Sequence, residues 1–263
     1  MPQPALDIES VNRRLSSVTP GCHTVFELNG LKTDARVLER DRDFLSSEII
    51  KGTIAIFEGN GELASEIFES LLEGLPEEPY VHANYAAVLA MQGDHDKSLE
   101  FLKSAVVLSR KELPFINTSA FWHGFFIGAF EWLASEYSGD VPVGVSEEAM
   151  TLLADNLEFM RAHDISENTL MKAANIVQDC LNSKRLVASF SYSKLIEDAA
   201  GYQFVVECLV NASPVQIGEL NDMLVDRILN SDFDDSFISN CTYLFSPYTR
   251  EIGRPYAMQR LCK

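Results

Sequence analysis

Cysteine and histidine are the residue types that most often bind metals or act as nucleophiles, and this sequence keeps them apart. The five cysteines, Cys22, Cys180, Cys208, Cys241 and Cys262, include no Cys-x-x-Cys pair and are odd in number. Widely spaced cysteines without a partner are typical of reduced thiols that pack in the core of a cytoplasmic protein. We therefore expect neither a disulfide framework nor a reactive thiol.

The histidines show no spacing that would bind a metal ion. His23, His82, His95, His123 and His163 include no pair at i, i+4 and no His-Glu-x-x-His motif. Cys22 and His23 are adjacent, so their side chains point apart and cannot easily share an ion. The sequence predicts no metal site and no cofactor.

Catalytic motifs are also absent from the sequence. There is no Gly-x-Ser-x-Gly elbow and no phosphate-binding loop, and Gly59-Asn60-Gly61 lacks the preceding strand and the third glycine of a dinucleotide site. Paired carboxylates such as Glu77-Glu78 occur, but a chain with 39 acidic residues produces such pairs by chance. Their usual role is a solvated helix face, so we expect a protein that is not an enzyme.

The charge is strongly negative and unevenly spread. The net charge is −18; residues 130–240 carry 19 acidic and 6 basic side chains, whereas residues 241–263 carry 1 and 4. An acidic field repels phosphate backbones and attracts basic proteins. We expect no nucleic-acid partner, and we expect the basic segment 243–263 either to fold back on the acidic body or to recruit a partner, including a second copy in a homodimer.

The elements that carry these residues are predicted to be helices, since the apolar spacing is helical nearly everywhere. The fold class predicted is all-α, with helices near 146–162, 166–183, 187–210 and 214–230. Ser146, Ser166 and the Ser213-Pro214 pair with Gln216 are predicted N-terminal caps. The one strand-like segment is His23 to Leu28, ahead of the turn pair Asn29-Gly30.

Residues 115–134 are apolar and rich in aromatic side chains, but they carry Asn117, His123 and Glu131 and have no basic flank. We interpret them as a buried helix and not as a membrane span. Thr118 or Ser119 is the expected cap, and the helix is expected to end near Gly139. Its aromatic side chains are predicted to be core residues, with an exposed peptide groove as the alternative; they are Phe121, Trp122, Phe125, Phe126, Phe130 and Trp132.

Two glycines in that helix form a Gly-x-x-x-Gly pair, Gly124 and Gly128. We expect the pair to permit close packing of a neighbouring soluble helix. The N-terminal residues show no basic segment followed by an apolar run, so the cytoplasm is the expected location.

The clearest sign of internal organisation is that one segment of the sequence resembles another 34 residues later. Residues 59–76 align with residues 93–110, matching Gly59 to Gly93, and an apolar helix precedes each segment. Small side chains at Gly52, Ala64, Ala86 and Ser98 would let helices approach, while Phe68, Leu89 and Leu102 fill the space between them. Gly59 and Gly93 are predicted to be left-handed, each ending the first helix of a pair.

On these residues the region 44–112 resembles the tetratricopeptide repeat family. The resemblance implies stacked antiparallel helical hairpins, an α-solenoid with a right-handed superhelix, and a concave face that holds a partner segment. It implies no chemistry. No third segment of the sequence matches these two at the same spacing. We therefore expect residues 1–43 to be an N-terminal helix and capping segment, and residues 113–263 to be a C-terminal helical bundle packed on the repeats.

The function predicted from these observations is a non-enzymatic adaptor, chaperone or regulator that binds a protein or peptide partner. The predicted partner-binding residues lie on the first helices of the two hairpins: Lys51, Ala55, Asn84, Tyr85, Val88 and Met91. Two alternatives stay open. One is an acidic neutraliser of a basic partner, such as an antitoxin, an immunity protein or a nucleic-acid mimic; the other is a helical enzyme that gathers distant residues such as His123, Tyr137 and Tyr192.

Overall fold

The computed structural model describes Val11, Leu15 and residues 23–139, 141–198 and 201–248. Within these residues the chain forms eleven helices that pack in succession and one three-stranded sheet. The protein is therefore mostly helical, and the predicted all-α class is only approximate. The chain divides into two compact units, Met1–Ile116 and Asn117–Lys263.

The first unit is built from helices that each pack against the next in the chain. They are α1 (Val25–Arg40), α2 (Phe44–Phe57), α3 (Gly61–Gly74), α4 (Pro79–Gln92) and α5 (His95–Leu108). Helix α6 (Pro114–Ile127) begins in this unit and continues into the second. Short connections between consecutive helices make them antiparallel neighbours, which is compatible with a helical repeat.

Small residues bring the helices of the first unit into close contact, as predicted. A Cβ atom on Gly52 would lie 2.5 Å from Cε2 of Phe68, which is fully buried. The Ser98 hydroxyl donates a hydrogen bond to the Ala86 carbonyl oxygen across α4 and α5, at 2.7 Å. Such contacts require helix axes close enough that no larger side chain fits between them.

Left-handed glycines end the first helix of each hairpin. Gly59 has φ 79° and Gly93 has φ 93°, which confirms both predictions. Gly128 has φ 79° as well, and it separates α6 from α7 (Phe130–Glu136). Gly128 therefore divides the aromatic segment into two helices, and the expectation of one unbroken aromatic helix from Thr118 or Ser119 to near Gly139 is wrong.

The predicted strand at residues 23–28 is also wrong, because Val25 begins helix α1. Thr24 caps this helix: its hydroxyl accepts a hydrogen bond from the Glu27 backbone N–H, and the Glu27 carboxylate accepts one from the Thr24 backbone N–H. This reciprocal capping box fixes a helix start in spite of the alternating apolar pattern.

The second unit contains α7, α8 (Glu147–Ala162), α9 (Glu167–Ser183), α10 (Pro214–Leu229) and α11 (Asp235–Asn240), together with most of α6. The predicted helices near 146–162, 166–183 and 214–230 are confirmed. Their predicted caps are confirmed too, since Ser146, Ser166 and Ser213 each accept a hydrogen bond from a backbone N–H of the first turn.

The predicted helix at 187–210 is wrong, because this segment forms the strands β1 (Ala188–Asp198) and β2 (Gly201–Val210). The two pair as an antiparallel hairpin, and β3 (Cys241–Pro247) adds to the other side of β2 in parallel. The parallel connection runs through α10 and α11. The central strand β2 is buried on both faces, with Phe204, Val206 and Cys208 alternating with buried Val205 and Leu209.

Aromatic side chains of α6 and α7 form part of the hydrophobic core of the second unit. Phe121, Phe125 and Phe130 are buried, and consecutive rings in this series lie 5.8 and 5.1 Å apart between centroids. A Cβ atom on Gly124 would lie 2.9 Å from the Trp132 ring, and one on Gly128 would clash with Leu170 of α9. The prediction that this glycine pair permits close packing of neighbouring helices is confirmed.

In the described part of the chain, every helix is too short or too polar to cross a lipid bilayer.

Candidate interaction surface

The structure places the six predicted partner-binding residues on two contacting helices, α2 and α4, but mostly inside the protein. Ala55, Asn84, Tyr85 and Val88 are all buried. Lys51 and Met91 are partly exposed. Whether a partner contacts any of them stays a prediction, and only a partly exposed residue among them offers a surface without a local rearrangement.

Lys51 is engaged by two carboxylates. Its ammonium group pairs with Glu39 of α1 and, at 2.8 Å, with Glu48 of its own helix. The hydrogen bond to Glu39, followed by the one to Glu48, raises the pKa of Lys51 above its usual range. The ion pair between Lys51 and Glu39 therefore connects α2 to α1.

An open groove lies between helix α3 and the end of helix α4, with a volume of about 630 Å³. We call it the acidic groove. Three of its residues are carboxylates on one face of α3, and the full lining is Gly61, Glu62, Ser65, Glu66, Glu69 and Gln92.

Hydrogen bonds hold the walls of the acidic groove together. The Gln92 amide nitrogen donates to the Gly61 carbonyl oxygen at 2.8 Å and to the Ser65 hydroxyl at 3.2 Å. The Tyr85 hydroxyl donates to the Glu69 carboxylate at 3.1 Å. These bonds connect α4 to α3 along the groove.

Tyr85 is the predicted site residue that reaches the acidic groove. Its ring packs against Phe68 and Phe101, with centroid distances of 5.5 and 4.8 Å. Burial of the ring raises the pKa of Tyr85, so the hydroxyl stays protonated and donates to Glu69. Tyr85 is buried, so its part in binding a partner stays a prediction, and its link to the groove is the hydrogen bond to Glu69.

Sequence reasoning missed the carboxylates of the groove. Glu62, Glu66 and Glu69 follow the spacing i, i+4, i+7, which places them on one face of a helix. Like charges at this spacing repel one another by a few tenths of a kcal/mol per pair, and a bound cationic group relieves that repulsion. The spacing is visible in the sequence, but it fits a solvated helix face equally well.

The three residues considered for an enzyme lie on or beside three different elements of the second unit. His123 lies on α6, Tyr137 directly follows α7, and Tyr192 lies on β1 opposite Glu207. Tyr137 is buried, and this burial raises the pKa of its hydroxyl. Among the residues that the structure describes, there is also no group of three His, Cys, Asp or Glu side chains that could hold a metal ion.

Comparison of the chain with protein-family models, curated proteins and solved structures finds no match. The resemblance to tetratricopeptide repeats therefore rests on the residues themselves and on the succession of packed helices.

Proposed function

We propose that this protein is a non-enzymatic protein–protein interaction module that holds a basic segment of a partner protein in the acidic groove. The observation that supports the proposal is the groove itself, which has a volume of about 630 Å³ and is lined by Glu62, Glu66 and Glu69 among others. A tetratricopeptide-like scaffold is part of the same proposal. It is supported by the left-handed glycines Gly59 and Gly93 at the predicted period.

Preorganisation supports the groove as a binding surface. The hydrogen bonds from Gln92 to Gly61 and from Tyr85 to Glu69 join the two walls. A surface that is ordered in advance loses less conformational entropy when a ligand binds, so weak contacts suffice for measurable affinity. Lysine and arginine side chains are the groups that three exposed glutamates attract.

The test compares two variants with the same change in charge. In the groove variant, Glu62, Glu66 and Glu69 are each replaced by Gln; in the control variant, the exposed Glu147, Glu148 and Glu158 of α8 are replaced by Gln. Partners captured from extract at low salt by the tagged wild-type protein are identified by mass spectrometry, and their affinities are then measured for all three proteins.

We expect roughly 10-fold weaker binding by the groove variant and no change in the control, since each exposed ion pair contributes on the order of 0.5 kcal/mol. Equal loss in both variants would instead favour the acidic neutraliser, because long-range charge alone would then determine binding; the net charge of −18 is the observation behind that second candidate. Full affinity in the groove variant would show that the partner binds elsewhere.

A further inference from the structure

Helix α10 is packed on three of its sides. Its core side buries Ile217, Leu220 and Leu224. Toward α9, Glu219 pairs with Lys184 at 2.7 Å. Toward β3, the Asn221 side chain bonds to the backbone of Phe245. The remaining side faces outward.

This outward side carries large aliphatic residues. Val215 is 72% exposed, Val225 is 52% exposed and Leu229 is 62% exposed. Gly218 and Asp222 lie between them on the same helical face, and a Cβ atom added to Gly218 would have no heavy atom within 4 Å. We call these five residues the α10 face. An apolar stripe with a shallow notch in the middle is the shape that an amphipathic segment covers.

The charge of the helix restricts what can cover this face. Asp222 lies within the stripe and the exposed Asp226 lies beside it, while the one basic residue of α10, Arg227, is directed to Asp179 of α9 at 3.7 Å. A second copy of the chain packed antiparallel on the same stripe would bring the two Asp222 carboxylates together. A segment that combines apolar and basic side chains matches the face better.

The chain itself supplies such a segment. Residues 249–263 lie outside the described residues, and their sequence contains four basic side chains, Arg250, Arg254, Arg260 and Lys263, against Glu251 alone. Apolar side chains alternate with them: Ile252, Tyr256, Met258 and Leu261. The net charge of this segment is opposite to that of the rest of the chain.

The described chain ends beside the start of α10. The backbone N–H of Tyr248 donates to the carbonyl oxygen of Val210 at 2.8 Å, and Val210 precedes the helix by only a few residues. A 16-residue helix is about 24 Å long, and 15 residues span up to about 50 Å when extended. The segment is therefore long enough to follow the whole α10 face from its first turn.

We infer that the α10 face is the docking site for residues 249–263 of the same chain. Val225 and Leu229 contact the apolar side chains of the segment, and Asp222 and Asp226 attract its arginines. Docking in this way covers the exposed aliphatic stripe.

Hydrogen exchange measured by mass spectrometry on the full chain tests this inference. One variant replaces Val225 and Leu229 with Ser, and the control replaces the exposed Val107 and Leu63 of the first unit with Ser. All four side chains are exposed, so both variants are expected to fold, and unchanged exchange in β2 checks this. We expect amides of residues 249–263 to exchange about tenfold faster in the α10 variant than in the wild type or the control.

Three results would overturn the inference. Exchange of residues 249–263 at the unprotected rate in the wild type would show that the segment does not dock. Protection that is equal in all three proteins would place the docking site elsewhere. Protection that disappears on dilution, together with a dimer in sedimentation analysis, would assign the α10 face to a second copy of the chain.

Discussion

At Gly52, a missing side chain decides how closely two helices approach. The space that a methyl group would need is filled by the Phe68 ring, which is 0% exposed and cannot move aside without displacing other core residues. We predict that Gly52→Ala lowers the free energy of unfolding by about 1–3 kcal/mol, the usual cost of overpacking a core. Urea denaturation measures this.

Gly74 provides the matched control for Gly52. It is the last residue of α3, it is exposed, and a Cβ atom added to it would have no heavy atom within 4 Å. Gly74→Ala is expected to be neutral or slightly stabilising, because alanine favours helix more than glycine does. If both substitutions lowered stability equally, close approach at Gly52 would not be the cause.

His95 makes the stability of the first unit depend on pH. Its side chain is 2% exposed, and burial lowers its pKa from about 6.5 to about 4, with Asp94 acting weakly in the other direction. Between these two values the unfolded chain binds a proton that the folded chain does not. The stability contributed by neutral His95 is therefore complete above pH 6.5 and is lost as the pH falls toward 4.

We predict that this loss amounts to roughly 3 kcal/mol, at about 1.4 kcal/mol per pKa unit. In His95→Gln the difference in unfolding free energy between pH 6.5 and pH 4 is expected to be smaller by that amount. Chemical denaturation at a series of pH values measures both proteins, and identical pH profiles would contradict the assignment to His95.

Residue-scale prediction succeeded where a backbone conformation demands one residue type. Gly59 and Gly93 were recognised because only glycine adopts a left-handed conformation easily. Gly128 does the same, but the segments around it share too few side chains with the earlier units for a self-match to find it. The carboxylates Glu62, Glu66 and Glu69 were missed because nothing in their types separates a groove from any other solvated helix face.

At the scale of elements, Asn221 covers the outer edge of β3 at Phe245. Its amide nitrogen donates to the Phe245 carbonyl oxygen at 3.0 Å, and its amide oxygen accepts from the Phe245 N–H at 2.7 Å. One side chain of α10 thus acts as the next strand would. Edge strands need such protection because unpaired backbone groups recruit other chains.

We predict that Asn221→Ala destabilises the protein by about 2 kcal/mol, because two backbone groups of β3 lose their partner. The Phe245 amide is expected to exchange faster with solvent, which hydrogen exchange detects. Asn230→Ala, which removes an exposed bond to the Asp226 carbonyl at a helix end, is the control and should leave Phe245 protected. Unchanged exchange at Phe245 in Asn221→Ala would refute the edge-covering role.

The elements that were predicted wrongly are those in which local patterns compete. At residues 24–27 the alternation suggested a strand, but the Thr-x-x-Glu spacing of Thr24 and Glu27 forms a capping box. At 187–210, helix-favouring residues such as Leu195 and Glu197 suggested a helix, although the run Ser189 to Ser193 alternates strictly and Val205-Val206 favours strand. Pairing across the sheet, which a local pattern cannot show, decides such cases.

At the scale of the whole molecule, the two proposed surfaces lie in different compact units. The acidic groove belongs to residues 1–116, and the α10 face belongs to residues 117–263. Substitutions at one surface therefore leave the residues of the other unchanged, so the two proposals can fail independently. The first proposal rests on three carboxylates of one helix, whereas the second rests on the opposite charge of residues 249–263.

The parallel pairing of β2 with β3 has a consequence for synthesis on the ribosome. Strand β2 leaves the exit tunnel with apolar side chains on both faces, but β3 follows only after α10 and α11. At roughly 5–20 residues per second, the chain between Val210 and Cys241 takes on the order of seconds to translate. During that interval the edge of β2 that pairs with β3 is unpaired, and the unpaired backbone groups of such an edge can recruit another chain.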